Sequence, residues 1–139
     1  MDNLLPVERH RCMSKIRSKG TTPEVLVRRI LTSMNIHYRL HRKNLPGKPD
    51  IVIGRRHTVI FINGCFWHHH QGCRNAVFPK TNQGYWTEKI NGNVVRQKKQ
   101  IEALEKAGWH VAVLWECELK QPEMVMDIIK GILPYEQSN

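Results

Sequence analysis

Ten consecutive residues, Gly64-Cys65-Phe66-Trp67-His68-His69-His70-Gln71-Gly72-Cys73, carry two cysteines and three histidines. Cys65, His70 and Cys73 are close enough in sequence to converge on one ion. A closed tetrahedral site needs a fourth ligand, and Cys117 is the candidate, because it lies just past a predicted strand at 111–115. If that strand neighbours the one that ends before Cys65, the two loop ends meet and form a Cys3His zinc site. Four protein ligands leave no open position, so such a site is structural. Spacing alone does not choose among His68, His69 and His70, and His70 is the expected ligand. Two rival readings are disulfides, disfavoured in a reducing compartment, and simple burial of Cys65 and Cys117 as small apolar residues. Cys12 is isolated and is taken as a bystander.

The apolar pattern predicts an α/β domain. Thr21-Thr22-Pro23-Glu24 opens a helix with Val25, Leu26, Ile30, Leu31 and Met34 at helical spacing, ending near Asn35. The same four residues fit a capping box, in which Glu24 merely satisfies the helix start. After the turn-rich Leu45-Pro46-Gly47-Lys48-Pro49, Asp50 to Ile53 and Thr58 to Ile62 read as a hairpin joined by Gly54 to His57. An amphipathic helix is expected from Thr87 to Lys106, with Ile90, Val94, Ile101 and Leu104 on one side and Gly108 as its stop. Val111 to Trp115 is apolar on both faces and is expected to be the central strand, and Pro122 to Leu133 forms the closing helix.

With 139 residues the chain suits one domain, expected at 21–139, preceded by a basic segment at 1–20. The first residues lack the pattern of a secretory signal and no apolar run reaches membrane-spanning length, so a cytoplasmic, nucleoid-associated protein with no membrane partner is expected. Twenty-two Lys and Arg against twelve Asp and Glu give a net charge of +10. That surplus favours a polyanion, because neutralised phosphates release counterions. The basic residues cluster at 9–11, 15–19, 39–48 and 89–99, which argues against charge spread only for solubility.

If the polyanion is cut as well as bound, phosphodiester cleavage needs a hard cation and a group that activates water. Asp50 is the candidate ligand, since it stands where a turn enters a strand and its carboxylate can reach the strand end. An ordinary turn aspartate is the bland alternative. Phe66 and Trp67 are either core residues or an aromatic wedge for unstacking bases, and by local sequence Trp86 is core. Lys89, Arg96, Lys98 and Lys99 on the basic helix side, and Arg11, Lys15 and Arg17, would contact phosphates.

Taken together, Pro46-Gly47-Lys48-Pro49-Asp50, Gly64-Cys65-Phe66-Trp67-His68 and Trp115-Glu116-Cys117 resemble the very-short-patch-repair endonucleases. Met13-Ser14-Lys15-Ile16-Arg17, Pro23-Glu24, Trp86-Thr87-Glu88-Lys89, Asn93 and Arg96 extend the resemblance across Met13 to Cys117. It implies a restriction-endonuclease-like core, with a central mixed sheet flanked by helices, and a structural zinc. It also implies a monomer that nicks DNA 5′ of the thymine in a T:G mismatch with Mg²⁺, repairing deaminated 5-methylcytosine, with a link to a cytosine-5 DNA methyltransferase. By the same resemblance Asp50 and the Ile62 carbonyl would hold Mg²⁺, His68 would move protons, and Glu24 and Asn63 would arrange water. Phe66, Trp67 and Trp86 would form the wedge, Met13 would approach from the other groove, and Lys15, Arg17, Lys89, Asn93 and Arg96 would contact DNA. The chain departs from the familiar pattern in three ways: Ile62 replaces Thr, Asn63 replaces His, and Gln97 replaces an acidic residue. An amide can position water but cannot shuttle a proton at neutral pH. The acidic-x-Lys triplet of restriction enzymes is also missing from the second strand. Two other functions fit many of the same residues: a zinc-bearing mismatch-binding protein without activity, and a restriction-type nuclease that cuts matched DNA.

Overall fold

Thr22 caps the first described helix, its Oγ1 accepting from the Val25 N–H at 3.4 Å. The computed structural model describes residues 22–76 and 79–133. Helix α1 spans Pro23–Ser33 and buries Leu26, Val27, Ile30 and Leu31 along one stripe. Because the cap is Thr22 rather than Thr21, the third helical position is Val25, and no capping box can involve Glu24. The Glu24 carboxylate is left to make other contacts.

Strands β1 (Arg39–Leu40), β2 (Ile51–Ile53), β3 (Thr58–Asn63) and β4 (His110–Trp115) form one mixed sheet in the order β1-β2-β3-β4. The first two pairings are antiparallel and the last is parallel. The hairpin of β2 and β3 closes through a turn at Gly54–Arg56, with His57 in the left-handed region at φ 50°. Helix α2 (Gln83–Lys106) makes the crossover from β3 to β4, and α3 (Pro122–Ile132) is the last described element. The start of α2 lies four residues before the expected Thr87, so Tyr85 and Trp86 belong to its first turn.

Alternation along the strands sends side chains to two separate cores. Ile51, Ile53, Ile60 and Leu114 pack with α1 and α3, while Val52, Val59 and Phe61 pack with Leu104 and Ile101 of α2. Helices therefore cover both faces. This explains why the expectation of a central strand at 111–115 fails: among the described strands β4 is the last in the order, and β2 and β3 are the interior ones. Its two apolar faces come from helices above and below, Val111 and Val113 meeting the α2 side and Ala112 and Leu114 the other.

Gly47 fixes the approach to the β2 start. Its φ is +76°, and a Cβ there would stand 2.8 Å from Gln100 Oε1 and 3.1 Å from Phe61 Cε1, so the turn lies against α2 where only glycine fits. Among the described residues no helix is long and apolar enough to cross a membrane.

Candidate active site and metal centre

The parallel pairing of β3 with β4 sets Asn63 opposite Trp115, so the chains leaving both strands emerge side by side. Cys65 follows β3 and Cys117 lies in the turn Glu116–Glu118 after β4. The ligand atoms of Cys65, His70, Cys73 and Cys117 all lie within 4.8 Å of one another. His70 Nδ1 is 3.7 Å from Cys65 Sγ and 3.4 Å from Cys117 Sγ. The loop is held by its own backbone: the His70 N–H donates to the Cys65 carbonyl at 2.9 Å, and the Cys73 N–H to the His70 carbonyl at 3.1 Å. Trp115 stacks on the His70 ring with centroids 4.2 Å apart and planes 6° from parallel. The Cys65 N–H donates to Glu116 Oε1 at 3.2 Å, an anchor not evident from the spacing of the cysteines. Burial pushes the Cys65 thiol up to about 12 and raises that of Cys117, so without a cation these groups stay neutral.

A second cluster forms where β2 begins. Asp50 Oδ2 accepts from the Ile62 N–H at 2.7 Å, which pins the carboxylate beside the end of β3. It is thus the amide of Ile62 that touches Asp50. Glu24, at the start of α1, and His41, just after β1, complete the group, with ligand atoms within 4.8 Å. His41 Nε2 lies 3.1 Å from Glu24 Oε1, and its Nδ1 lies 3.8 Å from Asp50 Oδ1. Burial raises the pKa of Asp50, partly countered by the Ile62 bond, and the Glu24 charge adds to the rise. His41 is absent from the sequence expectations.

His68 lies in the loop of the first cluster and senses the charge of Asp50 in the second. Burial lowers its pKa, and the nearby Asp50 charge opposes the shift. Its Nδ1 is buried with no hydrogen-bond partner among the described residues. Asn63 is 2% exposed, and both polar atoms of its side chain are engaged by Gln97: Nδ2 donates to Gln97 Oε1 at 2.7 Å and Oδ1 accepts from Nε2 at 2.8 Å. Both heavy atoms of its amide thus face α2. Gln97 was legible as an inward residue, being seven positions from both Ile90 and Leu104 on the buried stripe of α2.

Four aromatic rings meet beside this loop. Phe66 is 5.1 Å from Trp67 and 5.5 Å from Trp86, in edge-on contacts, and Tyr85 packs edge-on to Trp86 at 5.1 Å. Trp67 is 46% exposed and Tyr85 57%, so half of the cluster faces solvent. Lys89 Nζ sits 6.0 Å from the Trp67 ring. Asn93 donates from Nδ2 to the Trp67 carbonyl at 3.1 Å, which fastens the aromatic loop to α2, and accepts from Arg96 of the same helix at 3.1 Å. Met13, Lys15 and Arg17, with Arg11, lie outside the described residues.

Comparison with known proteins defines the class first: residues 1–74 match the family described as DNA mismatch endonuclease Vsr, a family of phosphodiester hydrolases. The chain is 49% identical over 132 residues, 95% of its length and 96% of the relative's, to the type II nicking enzyme V.XorIIP of Xanthomonas oryzae pv. oryzae. It is 50% identical over 108 residues, 78% of its length and 76% of the relative's, to the type II nicking enzyme V.NmeAIP of Neisseria meningitidis. The DNA mismatch endonuclease Vsr of Escherichia coli is 38% identical over 119 residues, covering 86% of this chain and 76% of that one. The chain belongs to the Vsr family of DNA mismatch endonucleases.

Proposed function

We propose that this protein nicks one strand of duplex DNA on the 5′ side of the thymine in a T:G mismatch. The observation that carries the proposal is the convergence of Glu24 and Asp50 on one spot, with the buried, unpartnered Nδ1 of His68 nearby. A divalent cation such as Mg²⁺, held by Asp50 and Glu24 with the Ile62 carbonyl, would polarise the scissile phosphate and acidify a bound water. The donor set suits such an ion, because Asp50 keeps Oδ1 available while Oδ2 is tied to the Ile62 amide. His68, kept neutral by burial, can accept a proton near the phosphate. Asn63, fixed by its amide pair with Gln97, would with Glu24 arrange water rather than transfer protons.

Cys65, His70, Cys73 and Cys117 fit zinc. Sulfur and nitrogen ligands on a tetrahedral ion with bonds of about 2.3 and 2.05 Å stand about 3.6 Å apart. The two spacings at His70 Nδ1, 3.7 and 3.4 Å, bracket that value. Zinc so held would stiffen the loop that presents Phe66 and Trp67. These rings and Trp86 would enter between base pairs, where unstacking costs least beside a mismatch. Lys89 and Arg96, with the basic segment of Met13, Lys15 and Arg17, would hold the backbone. A monomeric enzyme with a restriction-endonuclease-like core, working in the cytoplasm on the products of a cytosine-5 DNA methyltransferase, is the setting this implies.

The test is a nicking assay on end-labelled duplexes that differ only in T:G against T:A, with Mg²⁺ or with a chelator. One cut in the thymine strand, needing Mg²⁺ and at least about 100-fold slower on the matched duplex, is expected. Equal cutting of both duplexes would point to a restriction-type nuclease instead, and binding without a nick to a recognition protein.

A further inference from the structure

Three side chains converge at the start of β2, and only two are carboxylates. His41 reaches this spot through the register: Leu40 pairs with Ile51, so the next positions outward are His41 and Asp50. The His41 N–H donates to the Asp50 carbonyl at 3.2 Å, extending the ladder by one step. His41 itself has φ 48°, in the left-handed region that His and Asn tolerate better than most residues. Its imidazole faces both acids, at 3.1 Å from Glu24 and 3.8 Å from Asp50. Ligands on an octahedral ion with bonds of about 2.1 Å lie about 3 Å apart when adjacent and about 4.2 Å apart when opposite. The spread of this group, within 4.8 Å, is close to that range.

We propose that His41 is a nitrogen ligand of the divalent-cation site, and that it makes the site select Mn²⁺ over Mg²⁺. The proposal rests on the metal-dependent nuclease reading above. Carboxylate and water ligands suit Mg²⁺, whereas an imidazole adds more affinity for first-row transition ions than for this hard ion. Mg²⁺ also sheds its waters reluctantly and gains little from exchanging one for nitrogen. The His41 side chain is 53% exposed, against 28% for Glu24 and 29% for Asp50, so the imidazole can swing to the ion without disturbing the core.

The experiment uses the full-length, zinc-loaded protein. Mn²⁺ affinity is read from the paramagnetic resonance of free ion, Mg²⁺ affinity by calorimetry, and nitrogen ligation from the electron-spin-echo modulation of bound Mn²⁺. Wild type is expected to bind Mn²⁺ at least about tenfold more tightly than Mg²⁺ and to show nitrogen modulation. His41→Asn, which keeps the left-handed conformation, should lose the modulation and about tenfold in Mn²⁺ affinity, with Mg²⁺ affinity changed by about twofold at most. His68→Gln should keep the modulation, which separates the two histidines. Modulation that survives in His41→Asn, or equal losses for both ions, would overturn the assignment of His41. Wild type that nicks the mismatch without nitrogen modulation overturns His41 alone, whereas failure to bind any divalent ion and to nick overturns the nuclease reading with it.

Discussion

The two ligand clusters differ in almost every physical respect although both adjoin the end of β3. Around Cys65 the donors are sulfur and imidazole, four protein groups meet, and Cys65 itself is 0% exposed. Around Asp50 the donors are mainly oxygen, three groups meet, and the Asp50 and Glu24 side chains keep 29% and 28% of their surface. A closed set of four ligands has no position for water or phosphate and can only hold the fold together. An incomplete oxygen-rich set leaves such positions open, which catalysis requires. The comparison sets a group that could only stiffen the loop of Phe66 to His70 against one that could hold a reactive cation.

Removing one donor from each cluster should therefore have opposite signatures. Asp50→Ala is expected to slow nicking by at least about 1,000-fold, the size of a lost metal ligand, while mismatch binding in a gel-shift assay changes by less than about threefold. Loss of binding along with cleavage would mean that Asp50 serves the fold, and the contrast would break. Cys73→Ala should act the other way, releasing zinc and lowering stability by about 3 kcal/mol, a drop of roughly 10 °C in Tm for a chain of this size. Metal content measured on the purified variant, together with calorimetric melting, decides it. Unchanged zinc and Tm would show that three ligands suffice.

Much of this was legible beforehand, and the exceptions have physical causes. The helix cap at Thr22 and the apolar spacing of Leu26, Ile30 and Leu31 are local signals, and α1 follows them. The Cys-His grouping was equally visible, because loop ligands close in sequence need only a tight turn to meet. The role of β4 was not visible, since two apolar faces look the same whether neighbouring strands or covering helices bury the strand. His41 was hidden because β1 is only two residues long, too short for alternation to register. In the sequence it is one histidine within a basic run. Only the pairing of Leu40 with Ile51 makes it a neighbour of Asp50.

The smallest expected effect tests how independent the clusters are. Asn63 lies one residue beyond Ile62, which holds Asp50, and two before Cys65, so its amide pair with Gln97 anchors to α2 the segment that joins both clusters. Gln97→Leu would leave the buried Asn63 amide without partners, at a cost of about 1–3 kcal/mol. Because the pair is not a ligand of either ion, zinc should stay bound, Tm should fall by several degrees, and nicking should slow by less than about tenfold. The double variant Asn63→Leu, Gln97→Leu should regain part of the lost stability, because neither side then carries an unsatisfied polar group. Calorimetric melting of the two single variants and the double variant measures that coupling. Strictly additive losses would mean that the two amides contribute separately, and that β3 holds both clusters in place without help from α2.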